Sequence, residues 1–414
     1  MKKSLFALAA VTAFAGAAQA QSSVTVYGIL DVGYVGSNTR ISAANGTTGV
    51  GAVTKTTTSG LGQSAETTSR LGFKGTEDLG QGLSAFFTAE FQLYPQEQDL
   101  SGNSNGGLLN RQTFVGLKKA GLGQTAIGTQ YTPVFNSGAA TSPGQYNNML
   151  GDVVYAGATT AANNGGGAVT ASFTNRTSNT LTVASDKFSG FGANAMLTQN
   201  NSNTTQTSST AGGNINASGW GLGADYTYKK FYVTAAYQAL KQLTTAGNGA
   251  VTGATPWTGA QPSAGVPTAT TNAAGTAATN GYNVQDNQFL AGATYDFGIL
   301  KAYAQYVSRK ASATANSNYY VKRAAEQIGV RSFITPTIEA WGSIGTGRYT
   351  AYGTGQPTAN FNGWQVGSNY LLSKRTNLYA IYGQQNWSNA NTGTGYGTVS
   401  ANANNYAVGV RHTF

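Results

Sequence analysis

Cysteine is absent from all 414 residues, and histidine occurs once, as His412. No disulfide can brace the chain. A zinc site built on His and Cys, or a nucleophilic triad turning on histidine, has no material to work with. Charged residues make up only 9% and proline only 8 positions. After the first twenty residues no stretch holds the ~18 consecutive apolar residues that a membrane helix needs. Lysine and arginine exceed the acids, giving +10, or +8 (22 basic, 14 acidic) once Lys2 and Lys3 are set aside. They are scattered singly and never form a block, so the charge does not read as a nucleic-acid surface.

What is present is glycine, 56 of it, with 23 tyrosines and 17 phenylalanines. Disordered chains lack aromatics. Many strands joined by turns and flanked by aromatic girdles use both residue types. The chain begins MKKSLFALAAVTAFAGAAQA. Two lysines, a short apolar run and the small-x-small step Ala18-Gln19-Ala20 predict a signal peptide over 1–20, cut after Ala20. The remainder, 21–414, reads as one domain.

Strand-like windows recur about sixteen times from residue 24 to the end, an even count. Their connections alternate. Short ones include 77–82, 120–123, 187–190 and 373–375; long ones include 37–66, 132–174, 200–217 and 242–286. In GWGLGADYTY, Trp220, Leu222, Ala224, Tyr226 and Tyr228 share one parity, and Gly221, Gly223, Asp225 and Thr227 the other. The final YAVGVRHTF repeats the pattern, with Tyr406 and Phe414 about eight residues, or ~27 Å, apart. Alternation alone does not separate a soluble barrel from a membrane one. The leader, the even count and the asymmetric loops favour lipid outside and water inside.

VTVYGILDVGY (24–34), SRLGFKGTEDLGQGLSA (69–85), RQTFVGLKKAGLGQTAIG (111–128), LSKRTNLYA (372–380) and the terminal YAVGVRHTF together resemble the general porins of Gram-negative outer membranes, β-proteobacterial branch. The resemblance implies an all-β transmembrane barrel of about 16 antiparallel strands, a homotrimer, and a third long loop, 132–174, folded inward. It implies a passive channel for small hydrophilic solutes and ions, not an enzyme, needing no cofactor. Partners would be outer-membrane lipid and lipopolysaccharide, and the barrel-assembly machinery reading Phe414.

Carried over by position, Arg70, Arg111 and Arg176 form the basic wall of the constriction. Parity supports Arg70, which opposes Leu71 and Phe73. Lys74, Glu90 and Asp31 are expected in the lumen. In YNNMLGDVVY (146–155), Asn148 stands where cation-preferring relatives carry the first of two acids, and Asp152 at the second. Ile29 replaces a lumen lysine of some relatives. Anion preference follows as the expectation. A substrate-specific porin for a sugar or organic anion remains open through Tyr131, Tyr146 and Tyr155, and so does a surface adhesin or antigen scaffold displayed on the long loops.

Overall fold

A computed structural model describes residues 23–43, 53–97, 100–101, 107–155, 172–204, 213–244, 284–313, 320–351, 358–390 and 399–414. The expected leader, 1–20, and parts of the long connections lie outside the described residues. The chain runs through β1 (Ser23–Ala43), β2 (Val53–Gln63), β3 (Arg70–Gly80), β4 (Leu83–Gln92), β5 (Asn110–Lys119) and β6 (Gly123–Tyr131). One helix, α1 (Pro133–Thr141), follows. Then come β7 (Arg176–Ser185), β8 (Phe191–Thr204), β9 (Gly213–Tyr228), β10 (Phe231–Thr244), β11 (Val284–Asp296) and β12 (Lys301–Ala313). The last are β13 (Tyr320–Phe333), β14 (Ile338–Ala351), β15 (Ala359–Leu371), β16 (Thr376–Ala390) and β17 (Val399–Thr413).

β1 pairs both β2 and β3, each strand from β3 to β16 pairs antiparallel with the next, and β17 pairs β1 from Thr413↔Ile29 to Val399↔Ala43, so the sheet closes. The Phe414 backbone exchanges hydrogen bonds with Gly28 at 3.1 and 3.2 Å. Closure at this seam removes the edge that β1 and β17 would otherwise present to lipid.

Seventeen segments fill sixteen barrel positions. β3 pairs the first half of β1 (Ser23–Ile29) and β2 the second half (Val32–Ser42), so β2 and β3 are one position interrupted at 64–69. The stretch 37–66 therefore is not a loop throughout: β1 continues to Ala43, and 53–63 returns along it. Threonine and serine, which dominate 54–59, tolerate extended backbone without an apolar face, which is why the alternation is faint there.

The apolar parity faces outward as expected. Trp220, Leu222, Tyr226 and Tyr228 are exposed on β9, Val408 and Phe414 at the end of the chain. The wall is uneven: β4 to β7 hold 9 or 10 residues, while β8 to β17 hold 13 to 16.

Candidate functional site

The segment after β6 turns inward. Thr132 caps α1, its hydroxyl accepting from the Phe135 N–H at 3.2 Å, with Pro133 at the first helical position. Both choices end a strand and start a helix. From there the chain crosses the tall side of the barrel, touching β10 and β11 first and reaching β17 at Leu150.

Side-chain amides hold it there. The Val134 N–H donates to Gln238 (3.4 Å), Thr174 to Gln288 (2.7 Å) and Val153 to Gln327 (2.9 Å). Gln305 donates to the Gly138 carbonyl (2.8 Å) and Gln365 to that of Leu150 (2.8 Å), while the Leu150 N–H donates to Asn405 (3.0 Å). All five glutamines are buried, each on the inward parity of its strand. Loop backbone lying on a wall must find partners for its N–H and C=O groups, and uncharged amides supply both kinds. Glycines provide the clearance. A Cβ at Gly383 would collide with the Leu150 carbonyl, and one at Gly345 with the Val153 side chain. This amide ladder was missed in the sequence. Its signal is glutamine recurring at inward positions of β10, β11, β12, β13 and β15.

The tip is pinned by Asn148. Its N–H donates to the Ala65 carbonyl (3.0 Å), and its amide to Ser64 O (2.7 Å) and Thr68 Oγ1 (3.1 Å). Asn148 thus docks the tip onto the 64–69 interruption. Asp31 shapes that interruption from beneath: Glu66 N–H (2.9 Å), Thr67 N–H (2.6 Å) and the Tyr379 hydroxyl (2.6 Å) all donate to its carboxylate, which is fully enclosed. Its expected place in the open lumen is therefore corrected: the folded-in backbone of 66–67 covers it. Asp31→Ala strands two backbone donors and a hydroxyl, each costing about 1–3 kcal/mol when buried unpaired. The temperature at which heat-modifiable migration is lost should fall clearly below that of the parent barrel.

Asp152 is also turned away from the pore. It is buried and accepts from Ser142 Oγ (3.1 Å), Val154 N–H (3.0 Å) and Tyr155 N–H (2.8 Å). Burial pushes its carboxyl above the usual aspartate range. It closes a local turn instead of facing the arginines.

The basic wall assembles on the short strands. Arg111 Nε meets Glu90 Oε1 at 2.8 Å, and its Nη2 donates to the Tyr131 hydroxyl at 2.9 Å. Arg70 Nη1 lies 3.6 Å from the same Glu90 oxygen, and Arg70 Nε donates to Thr68 O at 2.9 Å. The Tyr27 hydroxyl donates to Glu90 Oε2 at 3.2 Å. Arg176 pairs across from Tyr131 and places its guanidinium carbon 5.7 Å from that ring; its Nη1 has no hydrogen-bond partner among the described residues. Lys74 continues the inner face, exposed, with Nζ 5.3 Å from the Tyr27 ring. Two guanidiniums thus share one carboxylate, and the third, on Arg176, has no carboxylate within salt-bridge distance among the described residues. On the tall side Arg309 has Asp286 (2.6 Å), Arg331 has Glu339 (2.5 Å) and Arg411 has Glu66 (3.6 Å), while Arg323 bonds the Tyr349 hydroxyl (3.1 Å) and has no carboxylate at salt-bridge distance among the described residues.

Arg111 reaches this group against its parity. Val115 and Leu117 show that odd positions of β5 face outward. The register with β4 shifts between Glu90↔Gln112 and Phe91↔Asn110, leaving Arg111 as the extra residue of a bulge. A bulge re-aims a side chain in this way.

Rings follow the loop beside the wall: Tyr131 stacks on Phe135 (4.1 Å), and Tyr146 on Tyr155 (4.1 Å). Tyr146 and Phe173 are buried with Val134, Val153 and Leu290, so this end of the stack is the loop's own core.

A family model for Gram-negative porins matches residues 7–390. Outer membrane porin protein 32 of Delftia acidovorans is 40% identical over 135 residues, 32% of this chain and 33% of that protein. Major outer membrane protein P.IB of Neisseria meningitidis serogroup B is 38% identical over 128 residues, 31% of this chain and 33% of that protein. The chain thus aligns with about a third of the length of these curated relatives. An anion-selective porin from Comamonas acidovorans superposes with a TM-score of 0.63 at 20% identity, over 95% of this chain and 100% of that one. A trimer form of OmpT from Vibrio cholerae gives 0.58 at 14%, over 95% and 99%. At these identities the structures speak for the fold. With the family match covering nearly the whole sequence and the closed barrel beneath it, this chain belongs to the Gram-negative porins and resides in the outer membrane.

Proposed function

We propose that the barrel is a passive diffusion pore for small hydrophilic solutes and ions, and that it passes anions in preference to cations. The observation that carries this reading is the unequal sharing at the wall: Arg70, Arg111 and Arg176 against Glu90 alone, with Asp152 folded away and Asn148 uncharged. A unit charge ~4 Å from a passing ion is worth ~1 kcal/mol in water, roughly a fivefold bias, and more where the wall lowers the dielectric. Rings of one sign set the preference of a pore. The solved porin with the higher TM-score above is described as anion-selective, which agrees. Zero-current potential across a planar bilayer under a potassium chloride gradient tests the reading. An anion-signed potential is expected; a cation-signed one would keep the pore and discard the wall as its filter.

The family and the fold point to a channel and not to an enzyme. Homotrimer formation is part of the proposal, supported by the low side of the wall at β4–β7 and by β2, whose second edge has no strand partner among the described residues. Outer-membrane lipid would meet the exposed apolar face. Phe414, seated at the closing seam, would be the residue read by the barrel-assembly machinery.

A further inference from the structure

Between α1 and the short turns lies a pocket of about 460 Å³, within the size range of small-solute sites. Its roof is the helix. The Thr234 hydroxyl on β10 donates to Ser137 Oγ (2.9 Å), and Gln305 on β12 donates to Gly138 O (2.8 Å) and Thr141 Oγ1 (2.9 Å). Ala140, near the end of α1, lines the pocket.

One inward step from those contacts toward the short turns is a row of hydroxyls. Tyr232 on β10 lies opposite Thr294 on β11, and Thr294 opposite Tyr303 on β12. Tyr232 and Thr294 line the pocket. The Thr294 hydroxyl is buried and has no hydrogen-bond partner among the described residues.

The next step reaches the rim, and the rim is charged. The Asp296 N–H donates to Lys230 O (3.0 Å), and Asp296 lies opposite Lys301. The acid therefore stands between two lysines, and all three line the pocket. Asp296 Oδ1 accepts from the Gly298 N–H (2.7 Å). Among the described residues no carboxylate oxygen lies within salt-bridge distance of Lys230 or Lys301. Lys187, by contrast, is held by Asp225 (2.5 Å), with its Nζ 5.4 Å from the Tyr232 ring.

The chemistry of this set selects its ligand. Ammonium groups without a carboxylate partner favour an anion. Hydroxyls on the wall and a carboxylate at the rim favour hydroxyls on the same molecule, because a carboxylate accepts while Thr and Tyr hydroxyls both donate and accept. An inorganic anion leaves the hydroxyl row unused, and a neutral sugar leaves the lysines unused. We propose that the pocket is a binding site for a phosphorylated sugar or polyol, its phosphate on Lys230 and Lys301 and its hydroxyls on Asp296, Tyr232 and Thr294. The proposal rests on the pore reading for access. Short turns of such barrels face the periplasm, so the pocket receives solute that has already passed the loop. It lies on β10–β12, whereas the arginine wall lies on β3, β5 and β7. Retention and sign preference thus belong to different residues.

The test is single-channel recording on the full mature barrel with glucose 6-phosphate, glucose or inorganic phosphate at equal concentration, with the zero-current potential read on the same membranes. Glucose 6-phosphate should interrupt the current, with a residence time at least tenfold longer than that of either control. Lys230→Gln/Lys301→Gln should shorten that residence about 25-fold, at roughly fivefold per cation, while the potential keeps its sign. Lys230→Gln alone, at an exposed rim position, gives the roughly fivefold step should the double variant not fold. Interruptions unchanged in both variants, or equal interruption by inorganic phosphate or by glucose, would overturn the site. An anion-signed potential without interruptions would discard the pocket and keep the arginine filter. A cation-signed potential with lysine-dependent interruptions would keep the pocket and discard the filter.

Discussion

Replacing Arg70 and Arg111 together by serine should collapse the anion-signed zero-current potential toward zero. The two substitutions leave Arg176 against Glu90, a neutral wall where +2 stood. At roughly fivefold bias per uncompensated charge, the proposed preference should fall by about 25-fold. Glu90 loses both guanidinium partners, while the Tyr27 hydroxyl still donates to it, so β1 and β4 keep a side-chain bond reaching across β3. Conductance should rise modestly, because two long side chains leave the narrow level. An unchanged potential would dismiss the wall as the filter and move attention to the mouths of the pore.

The second large effect concerns the loop seat. Gly383→Val should unseat the tip at 148–150. The introduced Cβ meets the Leu150 carbonyl, which is backbone and cannot rotate aside. Overpacking of this kind costs about 1–3 kcal/mol, and here the loop is the part free to yield. Leu150 would lose its bonds to Asn405 and Gln365, and Asn148 its hold on Ser64 and Thr68. Single-channel conductance and current noise should both increase. Gly60→Ala is the control, since a Cβ there meets nothing within 4 Å. Equal conductance in Gly383→Val and the parent would show that the tip does not narrow the pore.

Much of this architecture was legible because lipid imposes a strict alternation. Strands such as 220–228 and 404–414 announce their outward face, and short turns separate them cleanly. Legibility fails where the chain leaves that regime. Threonine and serine at 54–59 lack apolar alternation, so β2 read as loop. Asp31 was placed on the inward face, but the backbone of 66–67 that encloses it comes from a break no local pattern marks. Arg111 would have been sent to lipid by parity; only the resemblance placed it in the wall, and the bulge opposite Glu90 and Phe91 is the physical reason. Asp152 illustrates the remaining gap. The resemblance placed it among the charges of the constriction, whereas its side chain is consumed by two backbone N–H groups and a serine.

The glutamine clasp separates two kinds of discrimination that a single constriction might be expected to merge. Exclusion by size depends on where the loop lies, and uncharged amides keep it there; salt and moderate acid leave such bonds nearly untouched. Exclusion by sign, on the function proposed above, would rest on Arg70, Arg111 and Arg176, whose reach shrinks from ~10 Å at 0.1 M salt to ~3 Å at 1 M. A cell moving from fresh to briny water would keep the same mesh on this door while the proposed preference for anions faded.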